Sequence, residues 1–359
     1  MRVLINQVQE GCILTEDVLG LSSQPIIKKN TVITDELLYI LKVYLVEEVE
    51  VAGMLENGEP FNPVQLQNSE AKNEIPLIAS YISAAENFKK EFSLWQTGSS
   101  IDINKIFSIM IPLIEEINFF PSSEIFQINH LSTDKDYISK HAVAVGMLSA
   151  FIGRKLNYSK SDIVQLAVGG ALCDAGMAKV EPSLLEKASH LNYHEKEEIK
   201  RHPEYSLQMV QHLAILKDEV KSAIYEHHER LDGSGYPKGK SGKLISSYGK
   251  IFAVADAFHA MNSNRSYRRK YSPYQVLELM LEDYFGQYDL LSIKTLANGI
   301  LHYSIDSTVK LSNGQLAKII FIDESAPTRP LIKMISTDEI LSLKNNRHLY
   351  IEEVMDYYI

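Results

Sequence analysis

Hydrophobic and polar positions change their period along this chain, and the changes mark out its parts. Residues 1–53 carry short β-type runs, Ile26-Ile27, Thr31-Val32-Ile33 and Glu48-Val49-Glu50-Val51, around one stretch at helical spacing. That stretch opens on Thr34-Asp35-Glu36 and continues with Leu37, Leu38, Ile40 and Leu41, a capped amphipathic start. From Glu56 to Glu70 the pattern lapses into Asn57, Gly58, Pro60, Asn62 and Pro63, which predicts a linker. Between residues 75 and 120, Ile78, Tyr81 and Ile82, then Ile106, Ile109 and Leu113, recur at helical spacing and predict connecting helices. Residues 130 to about 300 are helix-patterned throughout. Ser272-Pro273-Tyr274-Gln275 there reads as a capping box with proline at the first helical position, ahead of Val276, Leu277 and Leu279. Beyond Gly299 the pattern shortens again: Thr308-Val309-Lys310-Leu311, an Asn313-Gly314 turn, and Ala317 to Phe321 predict a hairpin, with Leu331 to Ile335 as a third strand. The expected architecture is mainly α. It has a small α+β N-terminal module (1–53), a linker with connecting helices (54–125), a helical domain (126–300) and a β-rich C-terminal cap (301–359).

Composition narrows the function classes. At 359 residues the chain is long enough for two or three domains, and 45% hydrophobic with 23% charged residues is an ordinary globular balance. A formal charge of −10 argues against a binder of nucleic-acid polymers, while leaving room for a few Arg or Lys around a small anion. Cys12 and Cys173 are the only cysteines, too few for a disulfide framework, which fits a reducing compartment. The N-terminus lacks a long apolar segment, and nowhere do about 18 apolar residues run uninterrupted. A cytoplasmic protein without a membrane span is expected.

The chemistry concentrates in residues 227 to 239. Two adjacent histidines, His227-His228, run into an acidic, glycine-rich turn, Asp232-Gly233-Ser234-Gly235-Tyr236-Pro237. Two polar rings ahead of such a turn have no obvious use in a core. Asp174 and Asp256 lie amid apolar residues, where a buried carboxylate demands a cation or donors. Imidazole and carboxylate together suit iron, manganese or zinc. Two such metals a few ångströms apart activate water and relieve charge on a phosphodiester, which is what its hydrolysis at neutral pH requires.

The segment resembles the signature of HD-GYP domains, the metal-dependent phosphodiesterases of bacterial cyclic di-GMP signalling. In that family a first His on a helix precedes a His-Asp doublet, a His-Pro step, a His-His pair and a later Asp. The same order is met here by His141, Cys173-Asp174, His202 with Pro203, His227-His228, and Asp256. The resemblance therefore implies metal ligation by His141, Asp174, His202, His227, His228 and Asp256, with Cys173 a further candidate and Asp174 in the catalytic place. Some members hold a third metal through a Glu four residues before the first His; Tyr137 stands there, which implies two divalent ions, iron or manganese. The resemblance also assigns Gly235, Tyr236 and Pro237 to the substrate. Met261 to Arg268 is similar to the family's Arg-Pro-Tyr-Arg segment, which makes Arg265 and Arg268 candidates for phosphate or guanine contacts.

Three departures fall around the reacting centre. Cys173 replaces the doublet His, Met177 the lysine that follows it, and His259 a downstream Asp. Cys173 has two readings, a buried small hydrophobe or a thiolate ligand. The resemblance implies hydrolysis of cyclic di-GMP. The alternative is an impaired member that serves as a cyclic di-GMP sensor or a scaffold. A homodimer or a protein partner would engage through the N-terminal module.

Overall fold

The computed structural model describes residues 1–19, 25–34, 37, 38, 41, 46, 48–61, 77–116, 136–185, 187, 191–263, 271–301, 305–323 and 325–355. Two units separate, Met1–Glu74 and Ile75–Ile359. In the first, β1 (Arg2–Leu4), β2 (Val18–Leu19), β3 (Pro25–Ile27) and β4 (Glu48–Glu50) form two antiparallel pairs, β1 with β4 and β2 with β3. The run at Thr31–Ile33, expected as a strand, makes only an isolated bridge from Val32 to Ile13. Thr34 caps as its sequence suggests, its Oγ1 accepting from the Leu37 N–H at 3.3 Å. Val3, Leu14, Ile33, Leu41, Val49, Val51 and Phe61 make the core of this unit, and Cys12 packs among them.

The second unit is helical. Its longer described helices are α1 (Leu77–Gln96), α2 (Ile103–Glu116), α3 (Tyr137–Lys155), α4 (Lys160–Leu172), α5 (Tyr193–Ile199), α6 (His202–Val210), α7 (Asp218–Glu226), α8 (Ser247–Asn262), α9 (Pro273–Leu281) and α10 (Leu290–Leu301). A 3₁₀ turn, Ala175–Lys179, follows α4. Helices α3, α4 and α8 are apolar nearly all round, as helices enclosed by others must be, and α3 packs against α1, α4, α8 and α10. The expected capping box at α9 is present, with the Ser272 and Gln275 side chains each bonded to the other's backbone N–H. Among the described residues, no helix is long and apolar enough to cross a membrane.

Asp162 ties three parts of this unit together. Its carboxylate accepts from Lys217 just before α7, from Tyr248 Oη on α8 at 2.6 Å, and from Ser159 Oγ at the start of α4 at 2.7 Å. Burial alone would raise this carboxyl, but the three donors outweigh burial and lower it to about 2. A folded pKa below the unfolded value of about 3.9 gives stability that is present above about pH 4 and lost as pH falls toward 2. The wild type should therefore exceed Asp162→Asn in stability by about 1–2 kcal/mol at pH 6. Urea titrations should find that difference closing between pH 4 and 2. A gap that stays constant with pH would mean the carboxylate's charge contributes nothing.

The C-terminal sheet has five strands: β5 (Thr308–Leu311), β6 (Leu316–Phe321), β7 (Leu331–Met334), β8 (Ile340–Ser342) and β9 (Ile351–Val354), in the order β8-β7-β6-β5-β9, all antiparallel. The β5–β6 turn places Gly314 at φ +83°, as an Asn-Gly turn demands. The alternation of the sequence pointed to β5, β6 and β7 alone. The added strands, β8 and β9, lie at the two edges and do not alternate, β9 burying only its first and last residues. Ser272 Oγ donates to the Ile351 carbonyl at 2.6 Å and Arg329 pairs with Glu278, so the sheet is fastened to α9.

Candidate metal centre

The chain places Asp174 by ending α4 just before it. Cys173 caps that helix, and the backbone then bends into the 3₁₀ turn at Asp174. Gly176 lets the turn press against α6. A Cβ there would lie 2.1 Å from the His202 carbonyl oxygen and 2.5 Å from the Ser206 nitrogen. Ser206 seals the contact, its Oγ accepting from the Gly176 N–H at 2.7 Å and donating to the Cys173 carbonyl at 2.6 Å. The Asp174 carboxylate thereby reaches His202, the first residue of α6, and His227, the residue that caps α7.

The electron-pair donors converge. Asp174 Oδ1 lies 3.1 Å from His202 Nε2 and 3.6 Å from His227 Nε2, and those two nitrogens are 3.2 Å apart. Each ring is held from behind: His202 Nδ1 is 2.7 Å from the Ile199 carbonyl, and His227 Nδ1 is 2.7 Å from that of Ile224. A carbonyl can only accept, so each Nδ1 carries a proton and, in the neutral ring, each Nε2 presents a lone pair. Two lone pairs face each other beside a carboxylate oxygen. Asp174 Oδ1 is buried and, for all its closeness to His202, makes no hydrogen bond. Such a group of donors calls for positive charge, and a divalent metal fits it.

A second group adjoins the first. His141 Nε2, on α3, lies 2.9 Å from Asp256 Oδ1 on α8 and 3.4 Å from Asp174 Oδ2. His228 Nδ1 is 3.7 Å from Asp256 Oδ2. Asp174, His202, His227 and His228 form one set whose ligand atoms lie within 4.8 Å of one another, and His141, Asp174 and Asp256 form another. Asp174 belongs to both. Burial alone would raise the Asp174 carboxyl, yet a proton on His202 or His227 turned toward it outweighs burial, and without a metal the group is held well below its ordinary value. Burial likewise opposes ionisation of Asp256, and His228 and His141 overcome it. Both carboxylates are therefore charged at neutral pH. Withdrawal from water, reinforced by His227, lowers the His228 pKa well below its usual value, which favours the neutral ring, the ligating form.

The glycine-rich turn wraps the same histidines. Tyr236 stacks on His228 with ring centroids 4.7 Å apart and accepts a place there by donating its N–H to the His228 carbonyl at 3.1 Å. Gly235 is obligatory: a Cβ would sit 2.4 Å from the His228 oxygen and 2.5 Å from the Arg230 nitrogen. The Tyr236–Pro237 peptide is cis. Two buried carboxylates organise the turn. Glu229 accepts from the backbone N–H groups of Lys238 and Lys240 at 2.8 and 2.9 Å. Glu226 takes the Lys240 ammonium at 2.6 Å and the Ser246 N–H at 2.9 Å.

Cys173 is not brought into either set. Its thiol donates to the Gly169 carbonyl at 3.4 Å, and burial, followed by Asp174 and Asp256, pushes its pKa well above the ordinary value. It therefore stays a protonated thiol, turned back along α4. Met177, in the 3₁₀ turn, is half-buried. Arg265 and Arg268 lie outside the described residues.

Residues 126–290 match the family described as HD domain. That stretch contains the whole donor cluster together with His227-His228 and the Gly-Tyr-Pro turn. The chain carries an HD-GYP domain. Among its relatives is the cyclic di-GMP phosphodiesterase PdeB of Borreliella burgdorferi, 28% identical over 210 residues, which cover 58% of this chain and 55% of PdeB. The cyclic di-GMP phosphodiesterase PA4108 of Pseudomonas aeruginosa is 25% identical over 62% of this chain and 53% of that protein. The 3'3'-cGAMP-specific phosphodiesterase 3 of Vibrio cholerae is 32% identical over 41% of this chain and 32% of that one. The match thus spans about half the length of the first two relatives.

Three residues of the HD-GYP domain carry roles that sequence reasoning missed. His259 reaches the donor cluster, its Nδ1 2.8 Å from His141 Nδ1; the sequence marked it only as a mismatch. Glu226 and Glu229 lay in plain view beside the histidine pair. Their flanking by Lys238 and Lys240 gave no sign that the partners would be backbone amides as well as an ammonium.

Proposed function

We propose that this protein is a phosphodiesterase that hydrolyses cyclic di-GMP at a site for two divalent ions, iron or manganese, held by His141, Asp174, His202, His227, His228 and Asp256. The observation that carries this is Asp174, one largely enclosed carboxylate shared by two adjoining donor sets beside the Gly-Tyr-Pro turn. When bound, the ions would supply Lewis-acid charge and an activated water. The chain's own residues bind and orient. Asp174 holds the two sets together, and Asp256 spans His141 and His228. Gly235, Tyr236 and Pro237 form the wall against which the substrate lies. Lys200, whose ammonium is 5.8 Å from the Tyr236 ring centroid, places positive charge at that wall, a side on which Met177 offers none. Arg265 and Arg268 complete the anion-binding groups. Relatives named for cyclic di-GMP and for 3'3'-cGAMP make both nucleotides the substrates to compare. We assign the N-terminal unit to docking of a partner or of a second copy.

One observation favours a second reading, an impaired member that binds cyclic di-GMP as a sensor. With the Cys173 thiol turned to Gly169, the set built on His141, Asp174 and Asp256 has a single imidazole. Metal analysis separates the two. An active phosphodiesterase should purify with about two ions per chain and lose hydrolysis on chelation. Protein that is metal-free but still binds cyclic di-GMP would leave only the sensor. Cys173→Ala should not change the metal content, because the thiol faces away from both sets.

A further inference from the structure

Asp256 and His259 stand one helical turn apart on α8 and face the two nitrogens of the His141 ring. Asp256 Oδ1 is 2.9 Å from Nε2, and His259 Nδ1 is 2.8 Å from Nδ1. Both rings are buried, His141 at 3% and His259 at 0% exposure. An N···N contact of this length between buried imidazoles holds one proton, donated by one ring and accepted by the other. Tyr137 stacks on the outer face of His141 with centroids 5.1 Å apart, its Oη 3.2 Å from the same Nδ1. Ser263 Oγ donates to the His259 carbonyl at 2.8 Å and lies edge-on to the His259 ring, 3.3 Å from Nδ1 and 3.5 Å from Nε2.

We propose that His259 is a positioning residue that fixes the tautomer and orientation of His141, accepting the His141 Nδ1 proton on its own Nδ1 so that His141 Nε2 faces the donor cluster as a lone pair. This rests on the metal centre proposed above. A ligating imidazole needs an acceptor behind it, and metal sites commonly use a carboxylate or a carbonyl there. His202 and His227 use carbonyls. His141 sits mid-helix in α3, where carbonyls are already taken by the helix, and so draws its acceptor from α8. An imidazole does this without adding a third negative charge beside Asp174 and Asp256. For that it must itself carry its proton on Nε2, which lies 3.5 Å from Ser263 Oγ.

The test uses full-length protein labelled with ¹⁵N-histidine and loaded with zinc, a diamagnetic probe. Long-range ¹H–¹⁵N correlation should find His141 protonated at Nδ1 and His259 at Nε2. His259→Leu, which can neither accept nor donate, should weaken zinc binding by about ten- to a hundredfold. His259→Asn, whose Oδ1 can occupy the place of Nδ1, should stay within a few-fold of wild type. A purely space-filling role predicts the reverse ranking, with Leu no worse than Asn, and that result would overturn the proposal. So would a zinc-loaded wild type with His141 protonated at Nε2, a measurement that needs no variant and stands even where His259→Leu does not fold. Wild-type protein that takes up no zinc would remove the metal centre and the positioning role together. Zinc binding that is indifferent to every change at His259 removes the positioning role alone.

Discussion

Asp174→Asn is expected to strip the protein of both metal ions and to lower cyclic di-GMP hydrolysis on the order of a thousandfold or more. The carboxylate is the one residue common to the two donor sets, with one oxygen toward His202 and His227 and the other toward His141. An amide keeps its size but loses its charge, and its nitrogen turns a donor toward lone pairs or a metal. Replacing a residue that serves one set only, such as His202, should leave the other ion at reduced affinity. Elemental analysis of the two variants, with circular dichroism to verify folding, reads the difference directly. If Asp174→Asn retained one ion per chain, the shared-carboxylate arrangement would be wrong.

The second large effect is expected from Gly235→Ala. The new methyl would meet the His228 oxygen at 2.4 Å, the Arg230 nitrogen at 2.5 Å and the Glu229 carbonyl carbon at 2.6 Å, all backbone that cannot rotate away. The turn must lift off the histidines, at a cost of about 1–3 kcal/mol in stability. Displacing Tyr236 by roughly an ångström should slow hydrolysis on the order of a hundredfold. Gly242→Ala is the matched control: it lies just past the same turn at φ +54° with nothing within 4 Å of its would-be Cβ, so only backbone strain of about 1 kcal/mol applies. Equal melting temperatures and equal rates for the two variants would show that the close approach at Gly235 does not matter.

Much of this was legible in the chain. The order His141, Asp174, His202, His227-His228, Asp256 pointed to one cluster, because polar groups set into apolar helix patterns have few other ways to be satisfied. The helices of 126–300 and the hairpin at Asn313-Gly314 followed from periodicity and turn chemistry. What escaped notice depends on direction rather than residue type. Cys173 borders Asp174 in sequence, yet a helix cap followed by a 3₁₀ bend sends the two side chains different ways. His259 meets His141 only because its spacing from Asp256 matches the width of an imidazole on the neighbouring α3, a distance no single sequence displays. Strands β8 and β9 gain their pairing from the sheet edge they cover, and carry little signal of their own.

Glu226 and Glu229 flank the histidine pair in the chain, and both are moored to the segment that follows the Gly-Tyr-Pro turn. The Gly-Tyr-Pro turn and the imidazoles are accordingly one mechanical piece. A nucleotide bound as proposed would push on Tyr236 and so pull on His227 and His228 through two carboxylate hinges, and occupancy of the wall and the grip on the ions would be felt by each other across a few covalent bonds.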